Sequence, residues 1–209
     1  MQAEAGDVAA LAGHRLGAWV LSRRIGSGGL GEVWEAERND GLYQACAAIK
    51  LLHGDGATPA VARRFMRERA ALGLLTHTSI AALLDAGVQA PHAYLVLELV
   101  EGLPLADHAR ARCPTVADRV ALLLRVAEAV EYAHARLVVH RDLKPANVMV
   151  TAAGAPKLLD FGLAVSPGQQ AGDARAGLTP AYAAPELIEH DEAGTAVDVF
   201  ALGVMLFEL

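Results

Sequence analysis

Eight consecutive residues, His140-Arg141-Asp142-Leu143-Lys144-Pro145-Ala146-Asn147, limit what this chain can fold into more than any other stretch. Side chains able to handle protons, phosphates or a metal stand close together there. Apolar runs, Leu137-Val138-Val139 and Val148-Met149-Val150, lie on either side. A packed core would not accept His, Arg, Asp and Lys at such density, because each buried charge needs its own partner. Pro145 and the apolar flanks predict a rigid loop at the edge of a core, between two short strand-like pieces. Catalytic groups are often carried on loops that a rigid scaffold positions.

Such a loop needs a core behind it, and a chain of 209 residues that is 54% apolar can supply one. That composition argues against disorder. Lys plus Arg is 18 against 24 for Asp plus Glu, a net charge of −6. The balance speaks against nucleic acid or an anionic membrane as partner. Cys46 and Cys113 are far apart and lack metal-ligand spacing, as structural thiols in a reducing compartment would. Residues 1–14 read as a loose tail without the apolar centre of a signal peptide. No run reaches the roughly 18–20 apolar residues of a membrane span. The expected location is the cytoplasm, with no membrane segment in the chain.

The first hundred residues alternate strands and turns. A strand starting at Trp19 leads into Gly26-Ser27-Gly28-Gly29-Leu30-Gly31, and a second runs through Val33 to Glu37. Strand, glycine turn, strand is not the strand, glycine turn, helix of a dinucleotide site, and no P-loop Lys-Ser/Thr follows Gly31. Glycines let a backbone approach a phosphate, but a plain hairpin fits equally well. Ala45 to Leu52 is a further strand, apolar except for Lys50, which is either an exposed lysine or one kept for an anion. Thr58-Pro59 opens a helix with Val61, Phe65, Leu72 and Leu75 on one face. Glu68 shares that face. It either pairs with Lys50 or sits at the edge of the stripe, paired with Arg64 or solvated. Strands at Ile80–Val88 and Ala93–Val100 follow, with a turn at Ala90-Pro91-His92 between them. The fold class is therefore α+β. The first lobe spans 15–101, with a five-stranded antiparallel sheet and one helix. A mainly helical part spans 102–209.

In that second part Thr115 and Asp118 predict a capping box. The helix that follows carries a stripe of Val116, Val120, Leu123, Leu124, Ala127 and Val130, and His134 near its end is structural. Residues 163–181 form a low-apolar loop before Ala184-Pro185-Glu186. The chain closes on an apolar segment, 199–209, preceded by Asp198. It is too short for a membrane helix and reads as a core helix.

Together these pieces resemble the eukaryotic-like, bacterial-type Ser/Thr protein kinase catalytic domain, over about residues 17–209. The motifs, in order, are Gly26-x-Gly28-x-x-Gly31-x-Val33, Ala47-Ala48-Ile49-Lys50, the His140–Asn147 loop, Asp160-Phe161-Gly162 and Ala184-Pro185-Glu186. The resemblance implies a bilobal fold and a protein kinase using ATP and magnesium on protein Ser/Thr hydroxyls. It places Ile25, Gly26, Ser27, Gly28, Gly29, Leu30, Gly31, Val33 and Ala48 around ATP. Leu97 would lie at the back of the adenine pocket, and the Glu98 carbonyl and Val100 N–H would bond the base. Lys50, held by Glu68, would contact the α- and β-phosphates. Asp160 and Asn147 would hold magnesium. Asp142 would take the substrate proton and Lys144 would steady the γ-phosphate. Ser166, Thr179 and Glu186 fall in the activation segment, with Thr179 placing Asp142 and Lys144. His140, Arg141 and Asp198 are structural, Asp198 as anchor of the loop backbone.

The family's second lobe continues for several helices beyond this chain's last one, and one of them supplies an arginine to Glu186. A C-terminally truncated domain is therefore expected, with an exposed apolar patch at 199–209. The isolated chain is expected to be poorly soluble or oligomeric. Two other functions compete. An inactive nucleotide-binding scaffold would be marked by loss of a catalytic residue, and none is lost. A small-molecule phosphotransferase of similar fold is opposed by Lys144 and Ala184-Pro185-Glu186.

Overall fold

A computed structural model of the chain describes residues 11–28, 31–52, 54, 58–161, 164, 179–190 and 194–209. Gly29, Leu30, Gly162, Ser166 and most of the expected N-terminal tail lie outside the described residues. Two compact units form. One comprises Met1–Arg69 with Leu83–Leu99, the other Ala70–Ala82 with Val100–Leu209.

The first unit is built on an antiparallel sheet of β1 (Arg15–Leu16), β2 (Trp19–Gly28), β3 (Gly31–Arg38), β4 (Cys46–Leu52), β5 (Leu83–Gln89) and β6 (His92–Glu98). Their order is β1-β2-β3-β4-β6-β5. The sequence predicts five strands and the structure has six among the described residues. The extra strand is β1, two residues paired with Val20 and Trp19 and too short to carry a period of its own. The strand expected from Ile80 begins instead at Leu83, and Ile80 pairs with Leu158 in the second unit. Strands β4 and β6 sit inside the sheet and are buried at consecutive positions, so on both faces, which is why both read as near-continuous apolar runs instead of alternating. Trp34, Leu16, Leu21, Ile49 and Val96 belong to one buried apolar cluster of this sheet. Each such side chain contributes about 1.5–3 kcal/mol by leaving water. Helix α1 (Pro59–Gly73) starts with proline at its first position, where no backbone donor is needed.

The second unit holds a small sheet, β7 (Gly102–Pro104), β8 (Val148–Thr151) and β9 (Pro156–Leu158). Among the described residues four helices accompany it, α2 (Leu105–Arg112), α3 (Val116–His134), α4 (Pro185–His190) and α5 (Ala196–Glu208), with a 3-10 turn at Pro145–Asn147. The capping box of α3 forms as expected. The Asp118 N–H donates to Thr115 Oγ1 at 3.2 Å, and the Thr115 N–H donates to Asp118 Oδ2 at 3.0 Å. The apolar stripe of α3 is displaced from the predicted one. Leu122, Leu123, Val126, Ala129, Val130 and Ala133 are buried, while Val116 and Leu124 are exposed. The run Leu122-Leu123-Leu124 covers too much of the helix circumference for periodicity to choose a side. The piece before the polar loop is not a regular strand: Leu137 is exposed in a left-handed turn (φ 60), and Val138 and Val139 are buried.

Helix α5 buries Val197, Asp198, Ala201 and Met205 and exposes Val199, Phe200, Leu206 and Phe207, the last 92% exposed. It is thus apolar on both its buried and its exposed faces. Among the described residues no helix is long and apolar enough to cross a membrane.

The cap of α3 yields a measurable expectation. Thr115→Ala should lower stability by about 1 kcal/mol in urea unfolding. The Asp118 carboxyl is held below its ordinary value of 3.8 by the Thr115 hydroxyl and backbone N–H. A carboxyl with a depressed folded pKa stabilises above its unfolded value, and that contribution fades as pH falls through the folded one. The stability gap between wild type and Asp118→Ala should therefore be present at pH 6 and shrink below pH ~3.8. A gap that persists into acid would contradict this account of the cap.

Candidate active site

In the first unit, one face of the sheet gathers most of the nucleotide candidates. Gly26 stands opposite Val33 across β2 and β3, and Val33 stands opposite Lys50 across β3 and β4. Directly opposed residues share a face, as do residues two apart on one strand. Ala48 therefore joins this face, and Leu97, opposite Ala48 on β6, joins it as well. Ile25 and Ser27 flank Gly26 on β2, and Ile25 is exposed. Glu98 ends β6, and Val100 is two residues on, in the second unit.

The glycines of this turn differ in why they are needed. A methyl group at Gly31 would run into the Leu51 carbonyl oxygen, so the sheet itself demands glycine there. At Gly28 a methyl would meet open space, and at Gly26 only ordinary contact with Val33 at 3.7 Å. Packing among the described residues does not require glycine at 26 or 28.

Lys50 lies in the centre of the sheet and Glu68 on the inward face of α1. Lys50 Nζ donates to Glu68 Oε1 at 2.7 Å, and the two side chains are 4% and 0% exposed. Of the alternatives open to Glu68 in the sequence, the structure selects the pairing with Lys50.

In the second unit the polar loop forms a closed network. Asp142 Oδ2 accepts from Lys144 Nζ at 2.7 Å and from Asn147 Nδ2 at 3.3 Å. Asp142 Oδ1 accepts from the Thr179 hydroxyl at 2.9 Å, and that hydroxyl accepts in turn from Lys144 Nζ at 2.7 Å. Asn147 Nδ2 also donates to the Asp142 backbone carbonyl at 2.7 Å. Three residues, Lys144, Asn147 and Thr179, thus fix both oxygens of one carboxylate. Oδ2 accepts two hydrogen bonds and Oδ1 one. Each carboxylate oxygen has about two lone-pair positions, so Oδ1 retains an acceptor direction within this network.

The loop backbone is held from α5. Asp198, 1% exposed, accepts the His140 N–H on Oδ2 and the Arg141 N–H on Oδ1, each at 2.8 Å. Arg141 needs such support because it adopts φ 69, where a side chain is strained. His140 binds at both ring nitrogens. Nε2 donates to the Leu159 carbonyl at 3.0 Å and Nδ1 accepts from the Asp142 N–H at 3.3 Å. Its ring lies 4.6 Å from that of Phe161, which is fully buried. Asp160, between Leu159 and Phe161, adopts φ 55. Glu186 opens α4, whose Leu187 packs with Ala184, Val139 and Val197.

One residue of this arrangement was not singled out by sequence beyond a structural role. His134 Nε2 donates to Asp198 Oδ2 at 2.8 Å. A lone histidine near the end of a buried helix carries no local signal of its partner 64 positions away.

Comparison with known proteins follows the same outline. The protein kinase domain profile matches residues 19–209. The serine/threonine-protein kinase PkaA of Streptomyces coelicolor is 39% identical, over 91% of this chain and 38% of the relative. Pkn1 of Myxococcus xanthus is 36% identical, over 95% of this chain and 29% of its own length. PknA of Mycobacterium tuberculosis is 36% identical, over 92% of this chain and 46% of its own. The chain spans less than half the length of these curated relatives. With a matching profile along nearly its whole length, the chain belongs to the protein kinase domain family.

Proposed function

We propose that this chain transfers the γ-phosphate of ATP to serine and threonine hydroxyls of proteins, with magnesium. The observation that carries the proposal is the network around Asp142, which presents one oriented carboxylate oxygen beside a lysine ammonium. The substrate hydroxyl would approach Asp142 Oδ1. Its oxygen would form a bond to the γ-phosphorus while the bond to the β–γ bridging oxygen breaks. The hydroxyl proton would pass to Asp142 and ADP would leave. Lys144 would offset charge on the transferring group, and Lys50 would bind the α- and β-phosphates. Phosphoryl transfer asks mainly for such positioning and charge stabilisation.

The glycines at 26 and 28, which packing does not require, support a backbone left bare for close approach by phosphates. Glu98 and Val100 are assigned to the adenine edge by family resemblance, with Ala48 and Val33 over its face. Magnesium would be held by Asp160 and Asn147. The donor set fits. Asn147 commits its Nδ2 to Asp142, which leaves its amide oxygen to accept, and Asp160 would add one carboxylate. Few protein oxygens, with phosphates and water completing the shell, is the usual arrangement for this ion. When bound it supplies charge neutralisation to the phosphates. The relatives' names, all serine/threonine-protein kinases, support a hydroxyl of that type as acceptor.

The test is to incubate the protein carrying this chain with γ-labelled ATP, magnesium and a generic protein, then to identify the labelled residues. Label on serine and threonine is expected. Label confined to tyrosine, to a small molecule or to inorganic phosphate would overturn the proposal.

A further inference from the structure

A turn in the second unit is tied to the metal end of the candidate site by a chain of contacts that starts at one phenol. Tyr132 lies on α3. Its hydroxyl donates to the Thr76 carbonyl at 2.7 Å and accepts from the Thr76 N–H at 3.2 Å. One side chain thus satisfies both backbone groups of a residue 56 positions away. The ring also meets two side chains. The His77 ring lies 4.8 Å from it, and the Arg136 guanidinium sits 3.5 Å from its centroid. Tyr132 is half-buried, and its hydroxyl and ring are both engaged.

Beyond Thr76 the chain runs irregularly to an isolated bridge at Ile80, before β5 begins at Leu83. His77 Nδ1 accepts from the Ser79 N–H at 3.1 Å. Ser79 O accepts from the Leu158 N–H at 2.8 Å, and Leu158 O accepts from the Ala81 N–H at 3.0 Å. Ile80 and Leu158 form a parallel bridge, and both are about 2% exposed. Past Leu158 the chain is gripped again. The Leu159 N–H donates to the Asn147 carbonyl at 2.8 Å, and the Leu159 carbonyl accepts from His140. The next residue is Asp160.

We propose that Tyr132 is a positioning residue for Asp160 and Asn147, acting through Thr76, the Ser79–Ala81 segment and Leu158. The inference rests on the kinase function proposed above. The path joins these hydrogen bonds through the intervening backbone, with the His77 ring and the His77 carbonyl, which accepts from the Ile80 N–H at 3.1 Å, linking the turn to the 79–81 segment. Removing the hydroxyl alone leaves the ring and its two neighbours in place, so Tyr132→Phe should fold. The segment 79–81 then loses its tether, and Asp160 loses part of the restraint on its backbone. Metal sites depend strongly on groups behind the ligands. Changes along connected networks alter coupling by roughly 2–30-fold.

Two measurements on Tyr132→Phe and wild type test this. In amide hydrogen exchange, Ala81 and Leu158 should exchange several-fold faster in the variant, while the thermal midpoint stays close to wild type. In phosphotransfer, the magnesium concentration for half-maximal rate should rise by roughly 2–30-fold. At saturating magnesium the rate should return to near the wild-type value. Thr76→Ala, which keeps the backbone partners, should match wild type in both. Unchanged exchange at Leu158 overturns the tether. Faster exchange with an unchanged magnesium dependence overturns the positioning role, as does a fall in rate that magnesium cannot restore. If wild type itself transfers no phosphate, the kinase proposal has failed on its own account, and the exchange data still decide whether the tether exists.

Discussion

Replacing Lys50 by methionine should destabilise the first unit by about 3–5 kcal/mol, the range found when one partner of a buried ion pair is removed. The pair is 2.7 Å apart with both side chains nearly inaccessible. Lys50→Met takes the countercharge from a carboxylate that water cannot reach, and the desolvation cost of Glu68 is then poorly offset. The second half of the prediction separates stability from function. Lys50→Met combined with Glu68→Leu removes both charges, and such exchanges for well-packed apolar groups are often neutral or stabilising. The double variant should therefore recover most of the stability lost by the single one in urea unfolding. It should not recover phosphotransfer, because the ammonium assigned to the α- and β-phosphates is still missing. A single variant within ~1 kcal/mol of wild type would contradict the burial argument, since exposed pairs are worth that little. A double variant with wild-type transfer would remove Lys50 from the mechanism.

Asp142→Ala carries the larger effect on rate. Loss of a positioned proton acceptor, or of the electrostatic arrangement around it, costs about 10²–10⁴ in rate. Three donors converge on this carboxylate, so the substitution also frees Lys144 and Thr179 from their present geometry. The effect should fall on the chemical step and leave nucleotide affinity within a few-fold, because none of the groups assigned to adenine or to the α- and β-phosphates changes.

Much of this arrangement is legible in the sequence, for reasons that differ from place to place. Strands β4 and β6 declare themselves as apolar runs because both of their faces are buried. The Lys50–Glu68 pair is legible only as one of the alternatives for a carboxylate on an apolar helical stripe, and the structure decides for it. The capping box needs only two residues three apart. Other features are hidden by length. Strand β1 has two residues and β9 three, too few for a period to show. The buried side of α3 is hidden by excess, since leucines point both inward and outward. Within the site, Thr179 reaches Asp142 across 37 positions, a contact expected only through family resemblance. Tyr132 and His134 are ordinary residues of a helix until their partners, Thr76 and Asp198, are seen.

The exposed apolar side of α5 has a plainer status. Phe200 and Phe207 lie open on a helix whose other side anchors the polar loop through Asp198.

The most direct test of the central claim measures nucleotide binding and phosphate transfer side by side, in wild type and Asp142→Ala. Asp142→Ala should bind ATP with magnesium within a few-fold of wild type while transferring γ-phosphate to protein about 10²–10⁴ times more slowly. Equal transfer rates in the two proteins would contradict the account, as would binding without any transfer in wild type.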